Sequence, residues 1–172
     1  VSIENAEIEN GNAEYTETSA ITEAAGVIPV TRLKILLKNI KNYNFLPTDT
    51  LHIDATGFFF FFSWAHLNIR ECYYDVNGGF LLRFQIRPTD LKIINTVLTP
   101  LASVRIQSGM LDTLSVFVQG REAMATGEME LFYHDLKIQL LKDGRPKKFK
   151  SFLANTFVIK KYNTSRTGQV FY

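Results

Sequence analysis

Three histidines, His52, His66 and His134, are the first candidates for chemistry in this chain of 172 residues. Each occupies a polar or transition position of a predicted strand, no two have the spacing of metal ligands, and no cysteine cluster accompanies them. His134 is followed by Asp135, but adjacent strand residues point to opposite faces, which disfavours a working His-Asp dyad. The histidines therefore indicate neither a metal site nor an acid-base site.

The remaining nucleophiles and acids lack the surroundings that catalysis needs. Ser108-Gly109 has no flanking glycine of a nucleophile elbow, and no glycine pattern fits a phosphate-binding loop. Glu128 and Glu130 share one face of a predicted strand, as residues of a solvated polar edge do. The single cysteine, Cys72, is typical of a small core residue. We expect a protein that is not an enzyme and that has no cofactor.

Charge and hydropathy restrict the class of partner. A net charge of +2 is too small to indicate nucleic acid, although residues 1–23 contain only acidic charges and residues 142–172 are mainly basic. One cysteine cannot form an internal disulfide, so a reducing cytosol and a disulfide-free periplasm both fit. The apolar run 57–65 is far shorter than the roughly 20 residues of a membrane-spanning helix.

Length predicts a single β-rich domain over residues 1–172. The chain starts without methionine and stops inside the strand-like segment 169–172, so we expect a fragment of a larger protein.

Alternating apolar and polar residues over 103–141 predict consecutive strands of an antiparallel sheet. Ser108-Gly109 is interpreted as the turn between two of these strands. The apolar positions change parity near His134 and Asp135, which indicates a β-bulge or a tight turn at that point, and of these we expect the bulge. Upstream, Asn10-Gly11-Asn12 predicts a hairpin turn at a sheet edge, and Asn77-Gly78-Gly79 predicts a second hairpin turn.

Two short helices complete the predicted fold. Asp90 offers an N-cap to a helix near 90–99 that should end before Pro100. Residues 147–156 carry an apolar stripe flanked by Lys147, Lys148 and Lys150, which predicts a basic amphipathic helix. These lysines either contact anionic headgroups at a membrane surface or form the solvated side of a helix packed on the core.

The five consecutive phenylalanines 58–62 are the most apolar feature of the chain. Read as one strand, they place Phe58, Phe60 and Phe62 on one face and Phe59 and Phe61 on the other. Such a strand is either sandwiched in the core or lines an apolar groove that holds acyl chains. The candidate groove face comprises Phe58, Phe60, Phe62, Phe80, Leu82, Phe84, Leu114, Val116 and Val118.

Several sequence phrases resemble the C-terminal part of the AsmA-like envelope proteins. The phrases are N-x-x-L-x-P-L-A followed by I-x-S-G over 95–109, and G-x-x-x-x-x-Y-x-D-L-K over 127–137. Segments 152–159 and 8–16 are similar to versions found in Bacteroidetes-type bacteria. The resemblance implies a mainly β fold with two short helices, in which a long curved antiparallel sheet forms an open groove or half-barrel packed by the helices near 90–99 and 147–156.

The resemblance also implies a function without an active site. Such a protein is anchored in the inner membrane by an N-terminal helix absent from this sequence, and its periplasmic β-structure supports outer-membrane assembly or phospholipid movement between membranes. The expected partner is a phospholipid or another acyl-chain lipid, with no nucleic acid and with unknown envelope proteins. The alternative is a structural or protein-interaction module of the cell envelope with a closed core.

Overall fold

A computed structural model describes residues 1–20, 22–75, 78–121, 124–142, 145–146 and 163, with the backbone alone considered at 142, 145 and 146. The elements in chain order are β1 (Ser2–Thr18), β2 (Ala25–Lys41), β3 (Thr50–Phe59), β4 (Ser63–Cys72), β5 (Phe80–Ile86), β6 (Thr89–Asp90), a 3-10 turn (Leu91–Ile94), α1 (Asn95–Ala102), β7 (Val104–Arg121), β8 (Met124–Lys142) and β9 (Arg145–Pro146).

The strands form an antiparallel sheet in the order β1-β2-β3-β4-β5-β7-β8-β9, with β6 paired to β7. Because β1 and β9 occupy the two ends of this order, the described sheet is open. The predicted mainly β fold with an open antiparallel sheet is confirmed. The second predicted helix, near 147–156, lies outside the described residues.

The chain divides into two compact units. The first comprises Val1–Ala13, Val30–Arg87 and Thr113–Leu131, and the second comprises Glu14–Pro29, Pro88–Asp112 and Phe132–Tyr172. The first contains all nine candidate groove residues that the sequence suggested, and the second contains α1.

In the first unit, β3 and β4 pair without a break from Thr50↔Cys72 to Phe59↔Ser63. Strand β5 pairs with β4 on one side and with β7 on the other, again without an irregularity. Period-two alternation in all of these strands keeps one set of side chains on each side of the sheet. The unit therefore presents two chemically distinct faces.

Residues with positive φ lie inside long strands at positions where the sequence predicted turns. Asn10 has φ 52 inside β1 and Gly109 has φ 152 inside β7, but both strands continue past these positions. The predicted hairpin at Asn10-Gly11-Asn12 and the predicted turn at Ser108-Gly109 are therefore wrong. Asp135, with φ 54, lies within β8, so the parity change there occurs inside one strand, as the predicted bulge requires.

In the second unit, the Asp90 carboxylate accepts a hydrogen bond from the Lys92 backbone N–H and caps the 3-10 turn, as predicted. The α-helix then continues to Ala102, beyond the predicted end before Pro100. The proline costs the helix the N–H that would reach the Thr96 carbonyl. Ser103 ends the helix in the left-handed conformation, and its N–H reaches the Leu98 and Thr99 carbonyls.

Asn95 holds α1 against the following strand. Its side-chain amide donates to the Ile106 carbonyl at 2.9 Å, and its side-chain oxygen accepts from the Ile106 N–H at 2.7 Å. On β2, a Cβ at Gly26 would lie 2.9 Å from Leu101 Cγ, so the absent side chain allows close packing. These contacts explain why asparagine begins the helix and glycine faces it.

Few apolar side chains are buried, although 46% of the chain is hydrophobic. Among the described residues the buried ones are Ala65, Ile106, Leu111 and Leu141, of which Ala65 alone belongs to the first unit. Most apolar side chains of the first unit therefore remain half-exposed or exposed.

Candidate functional site

Directly opposed residues of neighbouring strands lie on the same face of a sheet, so the registers of β2, β3, β4, β5 and β7 define rows across the first unit. One row is Leu37, Ile53, Ile69, Leu82 and Val118; the next is Ile35, Ala55, Leu67, Phe84 and Val116; the third is Gly57, Ala65, Ile86 and Leu114. We call these fourteen residues the apolar face. No polar side chain interrupts the three rows.

The apolar face is only partly covered. Gly57 and Ala65 are buried, whereas the other twelve residues of the face are half-buried. A cavity of about 160 Å³ lies against the apolar face, and its lining includes Leu67 and Phe84 of the face together with Val30, Leu33 and Phe59. Its volume resembles that of an engineered apolar cavity of about 150 Å³ that stays dry and binds benzene. The cavity is therefore large enough for a short piece of hydrocarbon.

The structure brings together five of the nine candidate groove residues in the three rows of the apolar face. Leu82 and Phe84 of β5 lie opposite Val118 and Val116 of β7, and Leu114 lies opposite Ile86. Phe80 shares their side of β5 but lies beyond the rows, between Glu71 and Gly120. The apolar alternation of β5 and β7 therefore predicted this part of the face correctly.

The predicted orientation of the phenylalanine run is wrong. Strand β3 continues in register through Gly57 to Phe59, so Phe59 shares the face of Gly57, and its ring contacts that of Phe84 with centroids 5.8 Å apart. Phe58 lies on the opposite face, where it faces Trp64. Phe60 and Phe62 belong to the turn between β3 and β4 and have no place in a strand face.

The opposite side of the same strands mixes polar and aromatic residues with several cations, and we call it the basic face. Its rows contain Lys34, Lys38, Arg70 and Arg83, with Arg32 and Arg87 beside Phe58 and Trp64. Asp54 is the one acid in these rows from β3 to β7, and Lys34 is in ion pairs with Glu7 and Glu9 of β1. Three guanidinium groups lie over aromatic rings: Arg32 over Phe58 at 5.5 Å, Arg87 over Trp64 at 4.0 Å and Arg83 over Phe117 at 5.6 Å.

Asp54 holds two of the polar residues of the basic face in place. His66 Nε2 lies 2.8 Å from Asp54 Oδ2, and the Asn68 amide donates to the same oxygen at 3.1 Å. Burial opposes ionisation of Asp54, but the hydrogen bonds to His66 and Asn68 outweigh it and keep the pKa of this carboxyl below its usual value. The arrangement stabilises an ionised carboxylate and orients the imidazole, as a structural polar cluster does.

His134 has an acidic partner that sequence adjacency did not reveal. In the second unit its Nδ1 lies 2.9 Å from Asp112 Oδ1, and both side chains are nearly half exposed. The pair therefore lies at the surface. The carboxylate that pairs with His134 belongs to β7, whereas His134 itself lies on β8.

The His134–Asp112 pair makes a testable contribution to pH dependence. The hydrogen bond to Asp112 raises the pKa of His134 above its ordinary value, against a smaller opposing effect of desolvation. The stabilisation is therefore complete at pH values below the ordinary pKa of about 6.5 and is lost as the pH rises through the raised value. NMR titration of the His134 ring should show a lower pKa in Asp112→Asn than in the wild type; equal values would contradict the pairing.

Within the part of the chain that the structure describes, no group of three or more His, Cys, Asp or Glu side chains is arranged to hold a metal ion. Glu128 and Glu130 are exposed, as expected for a solvated edge, and Cys72 is half-buried. Neither the 3-10 turn nor α1 is long and apolar enough to cross a membrane. Lys147, Lys148 and Lys150 lie outside the described residues.

Comparison of the chain with protein-family models, with curated proteins and with solved structures finds no match. The resemblance to AsmA-like proteins therefore depends on the sequence phrases alone.

Proposed function

We propose that this protein binds the acyl chain of a phospholipid or another lipid on its apolar face and catalyses no reaction. The proposal depends on one observation: the three rows of the apolar face contain no polar side chain, and twelve of the fourteen residues are only half-buried. A face of this kind gains free energy when hydrocarbon replaces water on it.

The width of the apolar face suits an acyl chain. Five strands about 4.8 Å apart span roughly 19 Å, and the hydrocarbon of one bilayer leaflet is about 15 Å thick. An extended chain can therefore lie across the strands over its whole length. Burial contributes about 0.8 kcal/mol per methylene, so ten buried methylenes would contribute about 8 kcal/mol, the scale of a micromolar dissociation constant.

The cellular setting in this proposal comes from the resemblance. A segment of an AsmA-like envelope protein would use the apolar face to move phospholipid between membranes or to support outer-membrane assembly. It would lie in the periplasm, with Lys147, Lys148 and Lys150 as candidate headgroup contacts and an inner-membrane anchor elsewhere in the full protein. Cell fractionation with an antibody against this chain tests the location, and recovery outside the envelope fraction would contradict it.

Lipid binding itself is tested on protein purified from bacteria without detergent. Native mass spectrometry and lipid extraction should show phospholipid bound to the folded chain. A lipid-free protein that also takes up no added fatty acid would overturn the proposal.

A structural or protein-interaction module of the envelope is the second candidate. It is favoured by Gly57 and Ala65, which are already buried and show that part of the apolar face is covered. The two candidates differ in whether the half-buried rows accept a lipid or belong to a closed interior.

A further inference from the structure

The turn between β3 and β4 consists of three phenylalanines, Phe60, Phe61 and Phe62, although a hairpin turn does not require aromatic residues. Phe60 and Phe61 both have positive φ, 50 and 71, and the Phe62 N–H donates to the Phe59 carbonyl at 3.2 Å. Positive φ at both central residues is the signature of a type I′ turn, for which asparagine and glycine are the preferred residues. The use of two phenylalanines there is unfavourable for the backbone, so the fold does not explain it.

The aromatic rings at the end of this turn are in water. Phe61 is 61% exposed and Phe62 is 78% exposed. Their rings contact each other edge to face, with centroids 6.5 Å apart. Two adjacent exposed rings form an apolar tip that no residue of the described chain covers.

Cationic groups flank the base of the same turn. Phe58 and Trp64 form the next-to-last cross-strand pair before the turn, ahead of Phe59 and Ser63, and the Arg32 and Arg87 guanidinium groups lie over their rings. Among the described residues, no carboxylate lies within 4.0 Å of either guanidinium, since neither arginine is in an ion pair. An apolar tip bordered by unneutralised positive charge thus projects from one end of the first unit.

We propose that this turn docks the protein on a bilayer surface that contains anionic phospholipids. Phe61 and Phe62 enter the interfacial region, while Arg32 and Arg87 contact lipid phosphates, and the basic face adds longer-range attraction. A single-stranded nucleic acid fits less well, because it stacks on accessible rings along a track, whereas Phe58, Trp64 and Phe117 already have guanidinium groups over them. The docking is separate from acyl-chain binding and does not require a lipid on the apolar face.

Vesicle co-sedimentation tests this proposal with the full chain. The wild type should bind vesicles of equimolar phosphatidylcholine and phosphatidylglycerol, bind those of phosphatidylcholine alone much less, and lose affinity as salt is raised. Replacement of both exposed rings by Phe61→Gly with Phe62→Ser should weaken partitioning at least about tenfold, because each ring loses its favourable burial. Glycine at position 61 suits the positive φ, and Phe62→Ser alone is the second variant should the pair fail to fold.

Charge variants distinguish a local effect of Arg32 and Arg87 on vesicle binding from an effect of the protein's net charge. Arg32→Gln with Arg87→Gln should weaken binding to the anionic vesicles about 30-fold at low salt. Arg105→Gln with Lys137→Gln removes the same charge from exposed positions of the second unit and should change binding far less. Tyr74→Ser, at an exposed aromatic of a different loop, is the control for the rings.

Three results would overturn the docking proposal. They are a wild type that does not bind anionic vesicles, ring variants that bind as tightly as the wild type, and binding to a single-stranded oligonucleotide without binding to vesicles. A Val116→Glu variant that loses its acyl chain yet still sediments with anionic vesicles would show that docking and acyl-chain binding are separate functions.

Discussion

Val116→Glu is expected to abolish acyl-chain binding and to leave the protein folded. Val116 lies opposite Phe84 in the middle row of the apolar face and is half-buried. A carboxylate there stays hydrated in the free protein, so the cost to stability is about 1 kcal/mol of lost valine burial. A bound acyl chain would remove that water from an unpaired charge, which costs several kcal/mol and should weaken binding more than about a hundredfold.

The measurement combines a fluorescent fatty-acid titration with urea unfolding. Ser115→Glu, one residue away and on the basic face, is the matched control and should keep both binding and stability near wild type. The closed-core alternative expects a different result, because an unpaired carboxylate in a dry interior is incompatible with folding. An unfolded Val116→Glu protein would therefore count against an open apolar face.

Phe60→Asn with Phe61→Gly is expected to raise the free energy of unfolding by about 2 kcal/mol. Each of these phenylalanines has left-handed φ, which costs a residue with a side chain roughly 1–2 kcal/mol, while Asn-Gly adopts this turn readily. Loss of the half-buried Phe60 ring offsets part of the gain.

Urea unfolding of the turn variant is compared with that of Phe62→Thr. Phe62 does not have positive φ, so threonine there relieves no backbone strain and should give no comparable gain. A turn variant that is less stable than the wild type would mean that the rings stabilise the hairpin by packing, and the argument for a role outside the fold would fail.

The alternation of β5 and β7 was sufficient to predict which of their side chains share the apolar face, since the period of a strand is local information. The orientation of the phenylalanine run was not predictable in the same way. Strand β3 pairs with β4 through Gly57, and the turn falls at the phenylalanines, which are poor turn formers. Continuing the alternation of Ile53 and Ala55 through Gly57 would have placed Phe59 on the face.

The turns predicted at 10–12 and at 108–109 lie inside long strands, and there is a physical reason for the error. Asn10 and Gly109 favour positive φ, and a left-handed residue serves a hairpin turn or an irregularity within a strand equally well. A hairpin turn forms where the neighbouring strand stops pairing, and an irregularity forms where it continues. The pairing is determined by residues that are distant in sequence. At Asp135 the change of parity distinguished them, because a bulge inverts the apolar alternation without ending the strand.

The basic face was the part of the site that sequence reasoning missed. Three of its cations come from β2, whereas β4 and β5 contribute one each, so the sequence of β4 or β5 shows no cluster. The cationic outer side of β2 was the available signal. Only the strand register shows that the polar positions of the other strands join it.

Photo-crosslinking with a fatty acid that carries a diazirine in its acyl chain tests acyl-chain binding most directly. After irradiation and proteolysis, peptide mass spectrometry should find the label on residues of the apolar face in β4, β5 and β7, and competition with unlabelled fatty acid should remove it. Labelling confined to the exposed Phe61 and Phe62 rings, or no specific labelling, would contradict the proposal that this face holds an acyl chain.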